Sequence, residues 1–318
     1  MQDSSIPVTF PLWSLTIHGG SGQMQRTHMP AAAEAAFRAG LAAALEAGAA
    51  VLSSDGSAVD AVEAAVRTLE DDPLFNAGRG AVFTAEGRNE LDAAIMDGAS
   101  RAAGAVAGVT RTRNPISLAR AVMTNSPHVL LAHDGANVFS LEKGLEQVEP
   151  GYFRTEERWA ALQAMKAAAA RGESVFDKTL KYGTVGAVAR DAHGHLAAAT
   201  STGGLTGKRW GRIGDSPLIG AGTWADAAIA ISATGSGEDF IRVAAAHEIS
   251  ARVRMLGETP QTATDTVIAQ LRSLGGDGGI IFAGADGSAG WSFNTPGMFR
   301  GCVTASQKPV VAIFDDEG

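Results

Sequence analysis

Thr184 follows Gly183 at the head of the apolar stretch Gly183-Thr184-Val185-Gly186-Ala187-Val188-Ala189, and a hydroxyl there has a specific chemical use. If the chain is cut before Thr184, the new α-amine sits beside its own hydroxyl. A free α-amine has a pKa near ~8, so at neutral pH part of it is unprotonated and serves as a base. One residue then supplies both nucleophile and base. Glycine at position 183 permits backbone angles barred to other residues, which helps the hydroxyl reach the preceding carbonyl. An ordinary strand start is the other reading of this stretch alone.

Three further clusters carry chemistry. Thr200-Ser201-Thr202-Gly203-Gly204 ends a strand expected to pair with the Thr184 strand, so its hydroxyls come within reach of the partner's start. Side chains alternate along a strand, which puts Thr200 and Thr202 on one face. Gly211-Arg212-Ile213-Gly214-Asp215-Ser216-Pro217 offers a guanidinium and a carboxylate on a glycine-bounded loop. That pair fits a zwitterionic amino-acid head, guanidinium to carboxylate and carboxylate to ammonium; a mutual surface salt bridge is the alternative. Thr234-Gly235-Ser236-Gly237-Glu238 joins a strand to a helix, and successive amides at such a turn suit a negative oxygen. An acyl-transfer transition state needs donors of that kind.

The elements that must position these clusters follow from periodicity and turn chemistry. Strands are expected at Leu12–Ile17, Leu91–Met96, Ala103–Val109 and His128–Leu131, with another after the glycine-punctuated run Phe75–Phe83. Helices are expected over Pro30–Leu52, from Ser57 with a Ser57/Asp60 cap, and from Pro115 to about Asn125. Residues 154–183 read as an alanine-rich helix (Ala160–Ala170) followed by a polar, mobile connector from Arg171 to Lys181. Beyond it, Thr184–Arg190 pairs with His195–Thr202, and Ile280–Ala283 with Gly290–Phe293. A strand at Ala227–Ser232 precedes two helices, the first carrying Ile241, Ala245, Ile249, Val253 and Leu256 on one stripe. The second presents Val267, Ile268, Leu271 and Leu274. Strands and helices in blocks predict stacked antiparallel sheets covered by helices, a layered α/β fold without a doubly wound parallel sheet.

Composition bounds the function. The chain has 318 residues, 45% of them apolar, enough for one large core. A net charge of −8 without a basic run disfavours nucleic acid and anionic membranes. No basic segment leads an apolar core in Met1–Leu15, and no apolar run approaches the ~18 residues of a membrane span; a cytoplasmic protein is expected. The single cysteine, Cys302, excludes a disulfide framework and a thiol metal site. The seven histidines, His18, His28, His128, His133, His193, His195 and His247, are scattered and form no metal cluster. Phosphate loops fit badly. A dinucleotide fingerprint on Gly235 and Gly237 would need glycine at Phe240, and a phosphate loop ending at Lys208 would need glycine at Thr202 and Ser or Thr at Arg209. No Gly-x-Ser-x-Gly or His-Glu-x-x-His run occurs. A hydrolase here needs a nucleophile that works without histidine.

In order along nearly the whole chain, these stretches resemble the isoaspartyl peptidase/L-asparaginase family of N-terminal-nucleophile hydrolases. The matching pieces are His18-Gly19-Gly20, Phe75-Asn76-Ala77-Gly78, Leu91-Asp92-Ala93 through Met96-Asp97-Gly98, Gly104-Ala105-Val106 and Asn114-Pro115. The three clusters above, Gly183–Val188 and Phe293-Asn294-Thr295-Pro296-Gly297-Met298 complete the series. The resemblance implies one domain, residues 1–318, folded as an αββα sandwich of two mostly antiparallel sheets and self-cleaved between Gly183 and Thr184 into chains 1–183 and 184–318. It implies Thr184 as nucleophile, Thr202 supporting its hydroxyl, Thr234 and the Gly235 amide as oxyanion hole, and Asn76 nearby in oxyanion or precursor geometry. Arg212 and Asp215, on the loop with Ile213 and Gly214, would hold the substrate head, with Thr234, Gly235, Ser236 and Gly237 lining the pocket. The implied activity is hydrolysis of asparagine and β-aspartyl peptides by a homodimer without a catalytic cofactor. A structural sodium or potassium ion on backbone carbonyls of Leu69–Ala77 is also implied. Ser21 and Gly301 stand where the family more often has alanine. Glycosylasparaginase shares the threonine but typically has aspartate where Gly183 stands, and threonine aspartase usually lacks an aspartate at the Asp215 position. A non-catalytic amino-acid-binding protein would keep Arg212 and Asp215 without needing Thr184.

Overall fold

The computed structural model describes residues 13–172 and 183–317. Residues 1–12 and, beyond Gly172, the polar run to Lys181 lie outside the described residues. The architecture is mixed α/β with two sheets. The larger has strand order β12-β11-β1-β5-β6-β2-β3-β4, built from β1 Ser14–Gly22, β2 Leu91–Asp97, β3 Ala103–Val109, β4 Leu130–Ala132, β5 Val185–Arg190, β6 Leu196–Thr202, β11 Gly297–Thr304 and β12 Gln307–Phe314. Every pairing in it is antiparallel except β3 with β4. The smaller sheet, order β10-β9-β8-β7, contains β7 Thr223–Ala225, β8 Ile229–Gly235, β9 Gly278–Gly284 and β10 Ala289–Phe293.

The sheets meet face to face, β1, β5 and β6 lying over β8 and β9. Helices α1 Ala31–Ser53, α2 Ala58–Asp71 and α3 Pro115–Asn125 cover the outer face of the large sheet, while α6 Gly237–Val243, α7 Ala245–Ala251 and α8 Pro260–Ser273 cover the small one. Between them α4 His133–Glu142 packs on the β3/β4 edge and α5 Glu156–Ala170 follows. Strand alternation divides the core accordingly. Val185, Ala187 and Ala189 face the helices with Leu15 and Ile17. Val188, Leu196 and Ala198 face the second sheet with Ala230, Ile281 and Met298. Fixing that parity places Thr184, Thr200, Thr202, His18, Ser232 and Thr234 in the layer between the sheets.

Local signals held where side-chain chemistry alone sets the boundary. Ser57 Oγ accepts from the Asp60 amide at 3.1 Å to start α2, and Pro115 opens α3. Three expectations need correction. The stripe from Ile241 to Leu256 is not one helix: Ala244 adopts φ +49°, ending α6 and starting α7, and a π turn follows at Arg252–Leu256. Leu256 is consequently exposed. The run after Phe75 forms a 3-10 turn at Gly78–Gly80 and extended chain rather than a strand. Helix α1, by length and composition, is apolar enough to cross a membrane. Alanine and glycine give it that character. Its Leu41, Ala44, Leu45, Gly48 and Leu52 are buried where it packs on α2, β1 and β11.

Candidate active site

The β5/β6 register sets the site. Val185 pairs with Ser201, so Thr184, one residue earlier, stands beside Thr202. Thr184 Oγ1 donates to Thr202 Oγ1 at 3.0 Å, and the Gly204 amide donates to the same Thr202 oxygen at 3.0 Å. From the second sheet, Thr234 Oγ1 accepts the Thr184 amide at 3.1 Å. The Thr184 carbonyl accepts from His18 Nδ1 at 3.0 Å. Every polar group of Thr184 therefore has a partner, and the residue is buried.

Close approach requires glycine at position 183. Gly20, opposite it, occupies the left-handed region at φ +109°. A Cβ on Gly183 would come within 2.1 Å of Gly20 Cα, and one on Gly20 within 2.5 Å of Gly183 Cα. The two backbones touch where the bond preceding Thr184 lies, and neither tolerates a side chain.

A cavity opens at Thr184, lined by Ser21, Gly183, Thr202, Gly204, Leu205 and the Arg212–Ser216 loop, with Gly235. Asp215 is buried in its wall, and its Oδ2 has no hydrogen-bond partner among the described residues. Burial pushes the Asp215 carboxyl up to about 7; the nearby Arg212 charge opposes that rise and the Glu238 charge adds to it. Arg212 does not pair with Asp215. It binds Glu238 through Nε and Nη2 at 2.9 and 3.1 Å, and Asp215 has no cationic partner among the described residues. Gly237 lies behind both: a Cβ there would meet Arg212 Nη2 and Asp215 Oδ1, each at 2.9 Å. Thus Arg212, Gly214, Asp215 and Gly235 border the cavity itself, while Thr234 reaches Thr184 from beneath. Ile213, Ser236 and Gly237 support the loops. Ser236 is tied to Asp277, its amide to the carbonyl at 2.8 Å and its hydroxyl to Oδ1 at 2.5 Å.

Asn76 shapes the turn after Thr202. Its Nδ2 donates to the Gly204 carbonyl at 2.8 Å, its Oδ1 accepts from Val82 N, and its carbonyl accepts from Gly203 N. The carbonyl loop Leu69–Ala77 begins at the end of α2, where no backbone N–H among the described residues caps the helix. Uncapped helix carbonyls are hard oxygen donors of the kind an alkali cation accepts. Further along, the Leu74 carbonyl accepts from Arg158 Nη2 at 2.8 Å, and those of Asp72, Phe75, Asn76 and Ala77 accept from the amides of Phe75, Ala77, Gly203 and Gly80. Among the described residues no cluster of three or more His, Cys, Asp or Glu side chains is placed to hold a metal ion.

Sequence reasoning did not assign roles to His18, Ser232, Ser21 or Glu238. Ser21 Oγ donates to the Thr234 carbonyl at 3.2 Å, joining the glycine-rich end of β1 to the second sheet. His18 and Ser232 meet at 2.9 Å although they are 214 residues apart. The only advance signal was parity, which puts both in the inter-sheet layer.

The family model described as Asparaginase matches residues 11–313. The isoaspartyl peptidase of Salmonella typhimurium is 45% identical over 94% of this chain and 98% of its own length. The isoaspartyl peptidase/L-asparaginase of Xenopus laevis is 40% identical, covering 92% of this chain and 93% of that protein. The plant-type L-asparaginase of Thermococcus kodakarensis is 41% identical over 90% and 94%, respectively. With that model spanning residues 11–313 and such identity over nearly the whole length of these relatives, the chain belongs to the asparaginase family.

Proposed function

We propose that this protein is a threonine amidohydrolase that cleaves the β-amide of L-asparagine and the β-aspartyl bond of isoaspartyl peptides. The observation that carries the reading is a threonine with fully partnered backbone, facing a cavity whose wall holds a buried carboxylate oxygen without a partner among the described residues and, apart from it, a guanidinium. Asparagine and β-aspartyl peptides share that α-amino-acid head and differ only in what leaves the β-carbonyl. The names of the relatives support the same chemistry, and the two opposed sheets with helices outside support an αββα N-terminal-nucleophile fold.

Maturation comes first. Thr184 Oγ attacks the Gly183 carbonyl carbon, the hydroxyl proton passes to the amide nitrogen, and the C–N bond breaks to leave an ester. Water hydrolyses the ester, giving a Gly183 carboxylate and a free Thr184 amine. In turnover that amine takes the Thr184 hydroxyl proton while Oγ attacks the substrate β-carbonyl. Thr234 Oγ and the Gly235 amide stabilise the oxyanion. The C–N bond breaks, the proton goes to the leaving nitrogen, and ammonia or an amine departs. Water, deprotonated by the same amine, hydrolyses the acyl ester to release L-aspartate. Thr202 holds the nucleophile's hydroxyl, and Asn76 holds the turn that presents Thr202. On this reading cleaved protomers pair as a cytoplasmic homodimer, and a sodium or potassium ion on the Leu69–Ala77 carbonyls stiffens the loop before Asn76.

Mass spectrometry of the purified protein tests the proposal: it should resolve chains 1–183 and 184–318, with activity on asparagine and a β-aspartyl dipeptide. Thr184→Ala should stay intact and inactive. Gly183→Ala should slow cleavage, because its methyl collides with Gly20. An intact, active wild-type chain would remove the mechanism.

A further inference from the structure

We propose that Thr223, Thr200, Ser232 and His18 form a one-directional hydrogen-bond relay that locks the Thr184 carbonyl, making His18 a positioning residue held as its Nδ1–H tautomer. The inference rests on Thr184 being the nucleophile.

Proton counting gives the direction. The Thr184 carbonyl only accepts, so the 3.0 Å contact requires a proton on His18 Nδ1. His18 is fully buried, which pushes its ring down to about 3 and keeps it neutral. Nε2 is then bare and must accept, so Ser232 Oγ donates across 2.9 Å. With its single proton committed, Ser232 can take part in the 2.7 Å contact with Thr200 only as acceptor. Thr200 therefore donates to Ser232 in preference to the Gly222 carbonyl at 3.2 Å. Thr223 in turn donates across 2.6 Å to Thr200 in preference to the Ser216 carbonyl at 3.0 Å. One carbonyl at Thr184 thus orders four side chains contributed by β1, β6, β7 and β8. The far end abuts Ser216, next to Asp215.

Gly186 shows that this space is built for the relay. A Cβ there would lie 2.1 Å from Ser232 Oγ and 2.4 Å from His18 Nε2, inside their hydrogen bond. The relay matters most once the chain is cut. The free Thr184 then has no covalent neighbour before it, and the His18 bond pins its carbonyl from the side. A residue that acts as nucleophile and base needs both atoms aimed, and small misplacement is costly.

Nitrogen-15 NMR of histidine-labelled mature enzyme reads the tautomer directly, with the His18 signal assigned by its loss in His18→Asn. The expected result is a neutral Nδ1–H ring, unchanged from pH 5 to 8. Kinetically, Ser232→Ala and Gly186→Ala should each lower kcat by about tenfold or more with KM within about twofold. The apparent pKa of kcat should not move, because the base is the Thr184 amine. His18→Asn, which can present an N–H where Nδ1 sits, should retain more activity than His18→Leu. An Nε2–H or titrating His18, or parental kcat in Ser232→Ala, would overturn the relay. Failure of chain cleavage in the wild type would instead remove the nucleophile assignment while leaving the tautomer measurement intact.

Discussion

Asp215 makes binding of the amino-acid head depend on pH, with a sign and size set by burial. Its carboxyl is raised from 3.8 to about 7 in the free site, chiefly by desolvation. An ammonium group needs the ionised form. L-Aspartate, the product, should therefore bind with full affinity above pH 7 and lose about tenfold per pH unit below it, roughly 100-fold by pH 5. The Thr184 amine titrates with the opposite sign for an anionic ligand, since protonation there favours binding. A loss of affinity on acidification consequently isolates Asp215. The same shift has a stability counterpart. Because the folded pKa lies above the unfolded one, the stabilising contribution is fully present below pH 3.8 and is lost as pH rises through about 7. The rise from 3.8 to about 7 corresponds to several kcal/mol, on the order of 4. Asp215→Asn should melt at a higher temperature than the parent at pH 8 and at the same temperature near pH 4, while losing affinity for L-aspartate above pH 7 by a margin that shrinks as the parent carboxyl protonates. Calorimetric titration from pH 5 to 8.5 at constant ionic strength, with scanning calorimetry, measures both. Equal melting temperatures of Asp215→Asn and the parent at pH 8, with the same pH profile of L-aspartate affinity in both, would refute the burial of an ionisable recognition group.

Arg212→Ala should leave cleavage into two chains unchanged, because the guanidinium bonds Glu238 and not the scissile region, yet cost on the order of 2–5 kcal/mol in kcat/KM. Steady-state kinetics on a β-aspartyl dipeptide would contradict the assignment if the mature variant were near normal. Glu70 is buried with Oε1 accepting from Ser201 Oγ at 2.7 Å and Ile116 N at 3.0 Å, and desolvation pushes it up to about 8. Its contribution to stability is present below pH 4.5 and lost as pH rises through about 8. Glu70→Gln keeps an acceptor there and should raise the melting temperature above pH 8 but not below pH 4.5; scanning calorimetry decides.

The sequence by itself determined what local chemistry controls. Alternation along a strand put Thr200 and Thr202 on one face, but both faces of Val185–Arg190 and Leu196–Thr202 are buried and apolar, so which face meets the second sheet was settled by how the sheets stack. Side-chain caps and first-turn prolines marked α2 and α3 for the same local reason. β11 and β12 were not recognised, since Gln307–Val310 is polar or exposed at a sheet edge and carries no alternation. The break at Ala244 was invisible because alanine favours helix and only packing against Ala221 and Gly220 diverts the chain there. The pairing of charges was likewise a tertiary decision. Arg212 and Asp215 are close in sequence, yet Arg212 finds Glu238 across the cavity mouth while the neighbouring glycines let Asp215 sink into the wall. His18 meets Thr184 and Ser232 only because two sheets stack, and no sequence spacing encodes a contact made through the space that Gly186 leaves open.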